Sequence, residues 1–198
     1  MNANTPLRVL TNSSTRCFRT CPRLYKYQYL DGYRPVRDAE PLVFGRLMHL
    51  GLEHWWRARQ SGADADAALE LAVDALKKEE CDPFHWARAL PLLKGYSLRW
   101  GQEKMTVLAV ELQYTVDLIN TTGHKSKTWE HGGVIDAIAE FNGNHWVVEH
   151  KTSSSDIGAG SDYWKMLRLD TQVSNYIVAA KQIGYDVVGC LYDVIKKP

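Results

Sequence analysis

Cysteine is scarce, with four among 198 residues. So few thiols in a chain of this length exclude a disulfide-stapled scaffold and suit a reducing cytoplasm. Long apolar runs are missing as well. None approaches the ~18 residues of a membrane span, and no charged-then-apolar leader precedes the first predicted helix. Net charge is almost absent: 24 Lys+Arg stand against 23 Asp+Glu. A globally basic nucleic-acid coat is thereby excluded, and any contact with nucleic acid has to be a local patch. There is no internal repeat, heptad pattern or low-complexity tract, which sets aside solenoids and coiled coils. The remainder is 45% hydrophobic and 24% charged. That balance is ordinary for a globular fold, and one domain is expected over 1–198.

The most informative stretch runs from Trp129 to Thr152. Two apolar runs, Gly133 to Phe141 and His145 to Lys151, flank Asn142-Gly143. That dipeptide suits a type I′ turn, which needs two residues tolerant of positive φ. If it forms the turn, Phe141 faces Asn144 and the same register sets Asp136 opposite Glu149. Opposed residues share a face, with Cβ atoms about 5 Å apart. Period two brings Lys151 onto that face. A one-residue slip in the turn would instead set Asp136 against Lys151 or the Val148–Glu149 step. Two adjacent carboxylates among apolar neighbours repel unless a proton or a cation lies between them. Hard oxygen donors without thiolate favour Mg²⁺ or Mn²⁺. The plainer alternative is an Asp/Glu/Lys salt-bridge patch on a half-exposed hairpin.

Before the hairpin the chain reads mostly as helix. Met1 to Asn12 is a loose lead, and Ser13 or Ser14 caps a helix to about Tyr29 that Pro22 kinks or divides. Arg16, Arg19 and Arg23 alternate there with Phe18, Tyr25, Tyr27 and Tyr29. Such interleaving suits phosphates and bases, or else a solvated cationic face. A helix from Pro41 to about Gln60 sets Gly45, His49, Leu52, Glu53 and Trp56 near one face. Helices over 63–80 and 83–102 read as packing, the second capped by Asp82 and cored by Phe84, Trp86, Leu90, Leu93, Leu98 and Trp100. Met105 to Ile119 alternates as a long strand, whose Glu111 could lie beside Asp136. A polar loop over 120–130 leads to the hairpin. Ser153 to Tyr163 is a Ser/Gly-rich loop, either a clamp at the site edge or a plain connector. A helix over 168–184 sets Gln172 and Tyr176 on one face. Tyr185 to Lys196 is a final strand.

Several of these residues together resemble one family. G-V-I-D136 followed by V-V-E149-H-K151 is similar to the signature of PD-(D/E)XK nucleases, in their RecB-like branch. The phrases C21-P-R-L-Y, G45-x-x-x-H49 and Q172-x-x-x-Y176 resemble further motifs of that branch, in the same order. The likeness runs from about Ser13 to Pro198. It implies an α/β fold of the restriction-endonuclease type, a mixed sheet core flanked by helices. The division expected is a helical part over 13–102 and a sheet core over 105–198 that carries the motif helix 168–184.

The resemblance also implies chemistry. Asp136, Glu149 and Lys151 become the catalytic set, and His49, Asp136, Glu149 and the His150 carbonyl the metal ligands, for Mg²⁺ or Mn²⁺. Gln172 and Tyr176 help place DNA and the lysine, with Arg16, Arg19 and Arg23 as further DNA contacts. The activity implied is metal-dependent hydrolysis of DNA, as an exonuclease of phage or bacterial recombination or replication. Its substrate would be linear or single-stranded DNA, with a recombination protein as a possible partner and oligomeric state open. It would act in the cytoplasm of a bacterium or phage-infected host. The alternative is a catalytically silent DNA-binding or regulatory protein on the same fold. Some RecB-like nucleases, CRISPR adaptation nucleases among them, hold a [4Fe–4S] cluster with one N-terminal and three C-terminal cysteines. Here Cys17 and Cys21 are N-terminal, and Cys190 alone stands near the C-terminus. A cluster needs four thiolates, so none is expected. Phage-borne members usually run on past an ending such as Y-D-V-I-K-K-P, which leaves a shortened chain as an expectation.

Overall fold

A computed structural model describes residues 7–197. The described part is a five-stranded mixed sheet with helices on both faces, as the α/β expectation required. The Asn142-Gly143 turn forms with φ of 51° and 73°. It joins β3 (Lys125–Phe141) to β4 (Asn144–Ser153), with Phe141 opposite Asn144 and Ala137 opposite Val148. That is the register the turn chemistry predicts. β2 (Met105–Ile119) runs antiparallel along β3. β5 (Val187–Lys196) lies parallel to β4. The return needed for a parallel pair is supplied by α6 (Asp162–Leu167) and α7 (Gln172–Gln182).

Two side-chain layers cover the sheet. On one face α3 (Glu40–Gln60), α4 (Ala65–Lys77) and α5 (Pro83–Trp100) pack through Phe44, Met48, Leu52, Trp55 and Leu93 onto Ala137, Ala139 and Val148. On the other, Tyr176, Ala179 and Ala180 of α7 cover Ile135, Ile138 and Val147. The alternation along β3 and β4 therefore sends one set of residues under the helical layer and the other towards α7.

Several boundaries differ from the sequence reading. α1 (Asn12–Thr20) is capped by Thr11, with Ser14 closing a capping box, rather than by Ser13 or Ser14. Pro22 divides the predicted helix: α2 (Pro22–Tyr25) starts afresh and passes into a π-helical turn over Lys26–Leu30. Of the expected loose lead, Met1 to Pro6 lie outside the described residues. Arg8–Leu10 form β1, a parallel strand against Trp129–His131. β3 starts at Lys125, inside the expected loop. The expected 168–184 helix begins only at Gln172, and α6 forms just before it, where Asp170 accepts from the Gln172 amide at 2.8 Å. Phe84 and Leu98 do not serve the core, being 63% and 83% exposed, whereas Leu93 is fully buried.

Candidate active site

β2 occupies one edge of β3, so β1 and β4 share the other. β1 covers Trp129–His131 and β4 covers Ala137–Phe141. Between them, Gly132 to Asp136 have no strand partner on that edge. Asp136 stands where the β3–β4 ladder ends, one step beyond the Ala137–Val148 pair. Its carboxylate continues the ladder as a side chain: Oδ2 accepts from the His150 amide at 2.8 Å. Asp136 and Glu149 each stand one residue past the last β3–β4 pair, and the Asp136 charge is felt at Glu149.

Three cationic or imidazole groups balance these acids. His49 Nδ1 is 3.6 Å from Asp136 Oδ2, and His150 Nδ1 is 3.4 Å from the same atom. Burial pushes the Asp136 carboxyl up, but the hydrogen bonds and charge of His150 outweigh it and hold the group below the usual carboxylate range. Glu149 goes the other way. It is 1% exposed, and burial together with the Asp136 charge lifts it to about 7. Lys151 Nζ donates to its Oε1. Oε2 is buried with no hydrogen-bond partner. His49 is held below its ordinary value, burial being the largest cause, and it hydrogen-bonds the His150 backbone. The ring is therefore neutral, with a lone pair to offer.

Glu111 does lie beside Asp136. In the β2–β3 register it stands between the Val110–Ala137 and Leu112–Ile135 pairs, directly across from Asp136. Its φ of 49° is a strained value for a non-glycine residue inside a strand. Burial, then Asp136 and Glu53, raise its carboxyl to about 7. A chain behind the acids escaped sequence reasoning altogether. Trp56 Nε1 donates to Tyr96 Oη at 2.9 Å, and Tyr96 Oη lies 3.0 Å from His150 Nε2. The indole nitrogen only donates, so the tyrosine oxygen accepts from Trp56 and shares a hydrogen bond with the imidazole. Nδ1, the other ring nitrogen of His150, faces Asp136. The alternation in V-V-E-H-K put His150 opposite to Glu149 and was the one available signal.

On the Lys151 side of the acids lies a cleft of about 1310 Å³, whose lining includes Lys151 but not Asp136, Glu149 or His49. Arg16, Arg19, Lys151, Gln172 and Tyr192 are among its walls. Four of those five are residues the sequence singled out. Arg23 is not among the lining residues, and Tyr176 lies behind the wall, where its hydroxyl accepts from Gln172 Nε2 at 2.7 Å. Asn175 donates to Asn12 Oδ1 at 2.6 Å and ties α7 to the start of α1. All four cysteines are free thiols, and Cys17 Sγ sits 3.5 Å from Gln28 Oε1.

The model of the PD-(D/E)XK nuclease superfamily matches residues 9–197. The chain belongs to that superfamily. No curated protein matches. Among solved structures, one described as "Crystal structure of SSO0001" is similar at 21% identity over 73% of this chain, with a TM-score of 0.29. The chain spans 60% of the length of that structure. For a PD-(D/E)XK chain, the donor set here has the right chemistry for a hard divalent cation. It offers two acids, a neutral imidazole and a buried carboxylate oxygen that nothing else satisfies. Among the described residues, though, no three His, Cys, Asp or Glu side chains are gathered closely enough to hold an ion together. Glu149 pairs through Oε1 with Lys151.

Proposed function

We propose that this protein is a metal-dependent DNA nuclease, acting as an exonuclease in phage or bacterial recombination or replication. One observation carries the reading. Asp136 and Glu149 each stand one residue past the last β3–β4 pair and interact electrostatically, Lys151 pairs with Glu149, and an unsatisfied buried oxygen of Glu149 is left over. Asp136, Glu149, His49 and the His150 carbonyl would hold Mg²⁺ or Mn²⁺. A bound ion of that kind supplies Lewis acidity and a more acidic water. The chain's own groups do the rest. Lys151 has its ammonium at the cleft wall, where it can hold the attacking water or meet the charge that grows on the phosphoryl oxygens. Gln172, steadied by Tyr176, presents its amide to the strand. Arg16 and Arg19 bind phosphates across the cleft without reading bases, which suits unspecific digestion from an end.

The deciding assay incubates linear and circular DNA with Mg²⁺ or Mn²⁺, with and without chelator. Linear DNA should be degraded, circular DNA spared, and chelator should stop the reaction. Lys151→Ala should lose at least ~10²-fold in rate, as for removal of one transition-state donor, with the protein still folded by circular dichroism. Cutting within tenfold of the parent by that variant refutes the mechanism. The closed Glu149–Lys151 pair favours a second reading, a silent DNA-binding protein. It predicts binding with no cutting in either metal.

A further inference from the structure

The segment after the cleft wall is not explained by catalysis. From Arg16 to Arg37 it holds six cations, Arg16, Arg19, Arg23, Lys26, Arg34 and Arg37, against one acid, Asp31. In a chain whose net charge is +1, this is a concentrated basic surface. It also leaves large apolar side chains in water. Phe18, Tyr27, Tyr29 and Tyr33 are 53%, 42%, 40% and 67% exposed. Exposed aromatics in such number mark a binding surface rather than a core.

Their geometry is ordered. Phe18 meets Tyr25 edge-on at 5.4 Å, and Tyr25 stacks on Tyr29 at 5.3 Å and 20°. Arg34 lies over the Tyr29 ring, and its guanidinium donates to the Gln28 carbonyl at 2.8 Å. Tyr27 and Tyr33 form a second, perpendicular pair at 6.1 Å, with Lys26 over Tyr27. The π-helical turn over Lys26–Leu30 carries two of these five rings, Tyr27 and Tyr29, and such turns are often found at functional sites.

We propose that this surface is a stacking platform for the unpaired bases of a single DNA strand entering the cleft. Nucleic acid as the occupant rests on the phosphodiester site proposed above, with which α1 is continuous through Arg16 and Arg19. The charge suits a polyanion. The rings add what a duplex cannot use, because its base faces are already stacked on one another. An unpaired base on an aromatic ring gains roughly fivefold to a hundredfold in affinity, whatever its identity. Tyr33 and Tyr27 are the base contacts, and the Tyr25–Tyr29 stack is their support.

The experiment separates binding from cutting. The full chain carrying Lys151→Ala is titrated, in chelator, against fluorescein-labelled oligothymidine and against a duplex of equal length. Oligothymidine should bind at least tenfold more tightly. Adding Tyr27→Ala and Tyr33→Ala should weaken oligothymidine binding tenfold or more and change duplex binding less than threefold, with the salt slope unchanged. Tyr27→Trp with Tyr33→Trp should restore it. Equal affinity for both DNAs, or an unmoved oligothymidine affinity in the alanine variant, overturns the platform. So does tighter binding to vesicles of phosphatidylserine and phosphatidylcholine than to oligothymidine, since a basic aromatic surface can also meet a membrane. Failure of the nuclease reading would show separately, as a parent protein that binds but never cuts.

Discussion

Asp136 and Glu149 have nearly the same chemistry and opposite surroundings. The His150 amide and ring stabilise the charge on Asp136, whereas Glu149 is buried with one oxygen unsatisfied. The difference has a measurable consequence in the absence of metal. An unfolded glutamate releases its proton near 4.5, and folded Glu149 keeps its proton to about 7. Between those values the folded state binds more protons, so stability is lost as pH rises from 4.5 through 7 and is level above. Glu149 alone contributes at most roughly 3.5 kcal/mol to that loss, at ~1.4 kcal/mol per unit. Glu111 adds in the same direction. Urea unfolding of chelated protein should show the decline across this window, and Mn²⁺ should reverse it at pH 7. Stability that climbs with pH in chelator would contradict the assignment. At this scale much was readable beforehand. Turn arithmetic matches the observed β3–β4 register as far as Ala137–Val148, one step short of Asp136 and Glu149, because strand period and register are rigid once the turn is known. It left Glu111 unresolved, because a positive φ inside a strand is dictated by tertiary context and has no local signal.

Between elements, the site is held by a chain that crosses the sheet. Trp56 comes from α3, Tyr96 from α5, His150 from β4 and Asp136 from β3. Each link fixes the next, so the helical layer positions Asp136 through His150 as well as directly through His49. Tyr96→Phe removes the hydroxyl that holds Nε2 and loosens the ring that stands against Asp136. It also strands the Trp56 N–H in a buried place. The expected results are a loss of ~1–3 kcal/mol in stability and a ~10-fold to 100-fold weaker affinity for Mn²⁺. Calorimetric titration with Mn²⁺ measures the second directly. A variant that is destabilised but binds Mn²⁺ as the parent does would show Tyr96 to be packing only. None of this was visible in the sequence, where Tyr96 sits in a helix read as a cap. β1 was missed for a related reason. Three residues are too few to show a period, and their place depends on Gly132, where a Cβ would come within 2.5 Å of Val9. A Gly-Gly pair inside a strand was the available hint of a close approach.

Across the whole molecule, the cleft draws its walls from both ends of the sequence. α1 supplies Arg16 and Arg19, the end of β4 supplies Lys151, and α7 supplies Gln172. Periodicity could name these residues but not bring them together. That step depends on β1 lying beside β3 and on Asn12 meeting Asn175, contacts 120 or more positions apart. The assembly makes a prediction about charge that no single element makes. With a net of +1, the protein has no general attraction for DNA, so the salt dependence of binding should come from the few cations facing the strand. Each neutralised phosphate on a single strand steepens the dependence of log affinity on log salt by ~0.7. Replacing Arg16 and Arg19 together by alanine should therefore lower the slope by about 1.4 and weaken binding uniformly across sequences. Replacing Lys77 and Lys125, which pair with Asp74 and Asp117 away from the cleft, should leave it unchanged. Anisotropy titrations from ~50 to 200 mM salt would measure both. If the two pairs lowered the slope equally, DNA would be held by diffuse surface charge rather than by this cleft, and a strand could not be led along α1 to Lys151.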